Sequence, residues 1–168
     1  YFEKAISSLR TNNPALKSLL VNYKINIASI SIKLEDFTQA EQVYESILPL
    51  NVYSNEINHN LGIIKLKKED YSAALGFFKK VNYENNKKII DLYYNYGMIY
   101  SNQGETDSAD LYFHKALTEN LKWNGHRPNT SYGLILKYQA DDLARQEKLD
   151  ESLLLYQQAL TQFDNSFT

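Results

Sequence analysis

Asparagine recurs at Asn26, Asn60 and Asn95 in one short frame, NIA, NLG and NYG, each time two places before a small residue. A carboxamide carries donors and an acceptor on one planar group, so it can pair with a peptide N–H and C=O together. If the three share one repeat position they form a line of backbone-reading contacts, which gives affinity with little demand on ligand sequence. Other residue sets compete poorly for a chemical role. His59, His114 and His126 fall in different stretches with no second ligand at helical spacing, which speaks against zinc or iron. No GxGxxG or GxxxxGKS/T phosphate loop occurs, and the lack of cysteine removes disulfides, thiolate metal sites and cysteine nucleophiles. Asp141, Asp142 and Arg145 resemble an acid–base group, yet Asp141 and Arg145 lie four apart and read as a surface pair on one helix. The expectation is a protein that is not an enzyme and uses neither metal nor cofactor.

The bulk properties set the frame for these residues. A chain of 168 residues, 43% hydrophobic and 23% charged, is long enough to bury a core. A net charge of −2 argues against general nucleic-acid binding, which needs a clustered surplus of Lys and Arg. Seven lysines between residues 65 and 88 make that stretch locally basic, a pattern expected of a solvated face. No apolar run approaches the ~20 residues of a membrane helix, so no membrane insertion is expected. The start YFEKAISSLR lacks Met and reads as mid-helix, so the chain is expected to be a fragment of a larger bacterial protein. The expected compartment is the cytoplasm, with the cell envelope as the alternative.

Few Gly and Pro, and apolar residues at three- and four-residue spacing, predict an all-α chain. Four segments repeat one another: DFTQAEQVYESIL, DYSAALGFFKKV, ETDSADLYFHKAL and KLDESLLLYQQAL. Each has a small residue (Ala40, Ala74, Ala109, Ser152), an aromatic four later (Tyr44, Phe78, Phe113, Tyr156) and a small or apolar residue three after that. About twelve residues upstream of each lies a second small position, Ala28, Gly62, Gly97 and Ala140. Phe2 and Ala5 fit the end of the same motif.

These positions resemble the tetratricopeptide repeat, a helix-turn-helix unit of about 34 residues. Tyr93, Gly97, Tyr100, Gly104, Ala109, Phe113 and Ala116 match its slots best; Ser31, Leu143 and Ser152 depart from it. The insert LKWNGHRPNTSYG resembles the longer repeats of kinesin-light-chain type, although Arg127 separates His126 from Pro128. Physically, Pro128 suits a helix start and Asn129 or Thr130 a cap. The resemblance implies one domain with a second helix of a truncated repeat at 1–10 and repeats at 15–48, 53–82, 86–120 and 128–163. They would stack as a right-handed α-α superhelix, a solenoid of about four units with one concave surface.

In this family the position of Asn26, Asn60 and Asn95 faces that surface, and some members hold a ligand backbone there. Helical geometry adds His59, Ile63, Lys67, Tyr94, Met98, Asn102 and Lys137 as lining, with Asp141 and Arg145 beside the last. Within YYNYGMIY, Tyr93, Tyr96, Gly97 and Tyr100 take packing slots, while Tyr94, Asn95 and Met98 face the groove. Ile25, Ser29 and Asp91 stand where carboxylate-clamping members carry other residues, so that function is not expected. The expected role is a scaffold binding a peptide or partner domain, with self-association also open. The alternative is a regulatory region of a bacterial signalling protein or enzyme, such as a CHAT protease, histidine kinase or helix-turn-helix regulator.

Overall fold

The computed structural model describes residues 13–125, 127 and 129–164. The expected helix over 1–10, with His126 and Pro128, lies outside the described residues. Within them run eight α-helices: α1 (Pro14–Lys33), α2 (Phe37–Ile47), α3 (Ser54–Lys67), α4 (Tyr71–Phe78), α5 (Ile89–Asn102), α6 (Thr106–Asn124), α7 (Thr130–Arg145) and α8 (Leu149–Asp164). The described residues contain no strand, in agreement with the all-α expectation. Helices pack in consecutive pairs, α1 with α2, α3 with α4, α5 with α6 and α7 with α8. Two compact units divide the chain, one over residues 1–82 and the other over 83–168.

Every pair is joined by the same turn. The first helix ends with one residue in the left-handed region: Glu35, Glu69, Gly104 or Glu147, with φ of 59°, 59°, 77° and 62°. The following N–H then closes back onto the helix, from Asp36 to Ser31, Asp70 to Lys65, Glu105 to Tyr100 and Lys148 to Leu143, each at 2.9 Å. This satisfies carbonyls that the helix end would leave unpaired. In the first two turns the closing residue also starts the next helix. Asp36 accepts the Gln39 N–H at 2.9 Å and Asp70 the Ala73 N–H at 3.1 Å. Between pairs the caps differ: Asn13 caps α1 and Asn129 caps α7 through the Tyr132 N–H at 2.9 Å.

The small and aromatic slots meet in the interior. In the first unit Ala28, Tyr44, Ile47, Ile57, Leu61 and Ile64 belong to one fully buried cluster. Phe78 lies over Gly62 so closely that a Cβ there would collide with the ring. In the second unit a Cβ on Gly97 would stand 2.6 Å from Cε1 of Phe113. Phe113 clusters with Ile90, Ala109, Ala116 and Ile135. Where the slot pattern departs from alanine, Ser152 is buried and its Oγ donates to the Ala140 carbonyl at 2.8 Å. Ser31, in a slot expected to be aromatic, is buried and its Oγ bonds Gln39 Oε1 at 2.8 Å. Tyr93, Tyr96 and Tyr100 of α5 gather on Tyr112, with Tyr96 and Tyr100 stacked at centroid distances of 4.8 and 5.4 Å.

Gly97→Ala is expected to lower stability by about 1–3 kcal/mol, because the Phe113 ring must yield. Gly76→Ala, within α4 and facing open space, is expected to raise it by about 0.5–1 kcal/mol. Urea unfolding of the two variants beside the parent reads both signs.

Candidate binding faces

In the first unit the polar centre is the hydroxyl of Tyr44. The ring is fully buried from α2, and its oxygen meets Ser29 Oγ of α1 at 3.5 Å and the Asn60 carboxamide of α3. Burial pushes the phenol above its ordinary value despite these partners. Three helices therefore contribute to one hydrogen-bonded node beside Asn26, which is exposed on α1. Ile63 is half-buried and Lys67 exposed on α3. His59, expected to line a groove, is only 7% exposed and stands edge-on to Phe78 at 5.6 Å. The absence of a side chain at Gly62 draws the Phe78 ring across α3, and a histidine one turn earlier meets that ring.

Behind this node Glu41 of α2 bridges Lys65 and Lys68 at the end of α3. Burial pulls its carboxyl upward, but the hydrogen bonds and charges of the two lysines bring it below the usual range. Part of the basic stretch thus bridges the first pair to the second.

The second unit is built differently. Tyr138 of α7 stacks flat on Phe113 at 5.6 Å, and Tyr94 of α5 meets Tyr138 edge-on at 5.4 Å and Phe113 at 6.1 Å. Burial, then the Tyr138 hydroxyl and Asp141, push the Tyr94 hydroxyl far above its ordinary value. Tyr94 and Met98, expected to face a groove, are half-buried and packed against the Phe113 cluster. Asn95 is 8% exposed. Asn102 is exposed and donates to the Met98 carbonyl at 2.9 Å. Lys137 is exposed and pairs with Asp141 at 2.8 Å, and the Tyr156 hydroxyl donates to the same carboxylate. The expected Asp141–Arg145 pair is replaced. Arg145 reaches Ser101 of α5 at 2.7 Å and the buried Asp142 at 3.2 Å, because Lys137 and Tyr156 already occupy Asp141.

One regularity was not drawn from the sequence. Where the first-helix small residue is alanine the aromatic slot holds tyrosine, Ala28 with Tyr44 and Ala140 with Tyr156. The tyrosine hydroxyl bonds the residue just after that alanine, Ser29 or Asp141. Where it is glycine the slot holds phenylalanine and the next residue is apolar, Ile63 or Met98. At Tyr44 the choice of Tyr over Phe was the available signal, since a buried hydroxyl needs a partner.

Helix pairs closed by an aromatic over a small residue define a helical-repeat module. Residues 90–122, spanning α5, its turn and most of α6, match the family model of the tetratricopeptide repeat. The fold is shared with the crystal structure of MamA, at 16% identity and a TM-score of 0.68, over 97% of this chain and 85% of that one. It is also shared with BtubC (BKLC) from P. vanneervenii, at 18% identity and a TM-score of 0.75, over 96% of this chain and 69% of that one. Such identities speak to fold alone. No curated protein matches the chain by sequence. Among the described residues no cluster of His, Asp or Glu is arranged to hold a metal ion, and no helix is long and apolar enough to cross a membrane.

Tyr44→Phe strands Ser29 and Asn60 in a buried setting and is expected to cost about 1 kcal/mol, while the more exposed Tyr156→Phe costs under about 0.5 kcal/mol. Equal losses in denaturant unfolding would contradict the assigned partners. Glu41→Gln is expected to cost about 1 kcal/mol at neutral pH. The folded carboxyl titrates below the unfolded value of about 4.3, so its contribution is present above that value and lost as pH falls through the folded one. Parent and variant should therefore converge in stability, when unfolded by urea, as pH falls through the range in which the folded carboxyl takes up its proton.

Proposed function

We propose that the chain is a scaffold that holds an extended peptide segment of a partner protein on the faces of its first helices. In the first unit that face is Asn26, Asn60, Ile63 and Lys67; in the second it is Asn102 and Lys137, with Asn95, Tyr94 and Met98 forming its floor and His59 supporting the first. The supporting observation is that Asn60 of α3 stands at the Tyr44 hydroxyl while Asn26 is exposed on α1. The mixture of polar groups with a few apolar contacts suits an extended strand-like ligand better than an amphipathic helix.

Random peptides displayed on phage and selected on the immobilised chain provide the ligand for a test. Asn26→Ala combined with Asn60→Ala is expected to weaken the selected peptides at least about tenfold, roughly 1.4 kcal/mol, with an unchanged helical circular dichroism spectrum. Selected peptides that bind the double variant as tightly as the parent would refute this reading.

A further inference from the structure

Between the end of α6 and the start of α7 three asparagines form a relay of carboxamides. Asn120, only 1% exposed, donates from Nδ2 to Oδ1 of Asn129 at 3.2 Å, and its own Oδ1 accepts from Nδ2 of Asn124. Asn129 is the cap of α7: its Oδ1 also accepts the Tyr132 N–H at 2.9 Å, and its Nδ2 donates to the Arg127 carbonyl at 3.0 Å. The cap fixes the direction of the whole relay. A backbone N–H can only donate, so Asn129 must present its oxygen, and Asn120 must donate to that oxygen. Asn120 then has only its own oxygen left for Asn124, and Asn124 must donate in turn.

Asn124 is also the one asparagine of the chain that is followed by glycine. At such a step the following backbone nitrogen is not shielded by a β-carbon and can attack the asparagine side chain at Cγ. The bond from that nitrogen to Cγ forms, the bond from Cγ to Nδ2 breaks, and ammonia leaves. Water then opens the resulting succinimide ring to aspartate or isoaspartate, so the step needs only water and base. Two contacts hold it back in the folded chain. The Gly125 N–H, which must lose its proton before the nitrogen attacks, donates to the Leu121 carbonyl at 2.8 Å, and the Asn124 carboxamide is tied to Asn120.

We infer that Asn124 is a deamidation site guarded by the last turn of α6, and that its conversion reverses the relay that caps α7. A carboxylate at position 124 accepts and cannot donate, so Asn120 must turn its Nδ2 toward it. Oδ1 of Asn120 then faces Oδ1 of Asn129, acceptor against acceptor. Either that buried contact or the cap on Tyr132 is lost. A change at the end of one helix thus reaches the first turn of the next. These residues are separate from the peptide-binding faces proposed above.

Peptide mass mapping of the 168-residue chain tests the site, after incubation at mildly alkaline pH either folded or in guanidinium chloride. The peptide carrying Asn124 is expected to gain the mass of an amide turned acid at least about tenfold faster in guanidinium. No gain in guanidinium, or equal rates in the two conditions, overturns the inference. Hydrogen exchange at the Tyr132 amide tests the relay in the variants Asn124→Asp and Asn124→Ala. The aspartate is expected to speed that exchange about tenfold, and the alanine, which leaves Asn120 in its present orientation, much less. The Ile135 amide, inside α7, reports opening of the whole helix and is expected to change less than Tyr132. Equal exchange at Tyr132 in the two variants overturns the relay, and so does an equal change at Tyr132 and Ile135, which would indicate a general loss of stability.

Discussion

An aromatic ring laid across a residue with little or no side chain is the contact on which everything else here depends. Phe113 occupies the space a Cβ on Gly97 would need, and Phe78 does the same over Gly62. The ring can reach that position only if the two helices of a pair approach closely, and that approach is what the missing side chain permits. Once the helices are that close, the turn between them has little room to vary. The same left-handed residue and the same closing hydrogen bond therefore appear four times. Inside each unit the second helix of one pair packs on the first helix of the next, and the repeated slots let residues far apart in sequence be compared position by position.

The pairs also show how one packing solution admits two chemistries. Glycine with phenylalanine gives a closed apolar contact, continued by Ile63 or Met98. Alanine with tyrosine leaves a hydroxyl that meets the residue after the alanine, Ser29 beside the buried Tyr44 and Asp141 beside the exposed Tyr156. The second arrangement brings polar groups to the faces of α1, α3 and α7. In the first unit it supports Asn60 from beneath. In the second it holds Asp141 between Lys137 and Tyr156 and so releases Arg145 to bond Ser101 and Asp142.

The packing slots were legible in the sequence because they obey a local rule of residue size, a small residue or an aromatic at a fixed spacing. The left-handed turns were less so: three of the four carry glutamate, which gives no turn signal, and only Gly104 announces itself. Exposure within the candidate faces was not legible either. Asn26, Asn60 and Asn95 share one frame, yet they grade from exposed to nearly buried according to what stands beside them. His59 and Tyr94 were read from their helical direction alone, and neighbouring rings turned both into packing residues. The partner of Arg145 could not be read locally, since it depends on a side chain in another helix.

The glutamates at the turns carry a consequence for how each pair is held. Glu35, Glu69 and Glu147 occupy a backbone region that costs a non-glycine residue about 1 kcal/mol or more. A connection of that kind does not prefer its native shape by itself, so the packing of the two helices must offset its cost. The pair joined at Gly104 carries no such cost, and its turn asks less of the contacts that hold it.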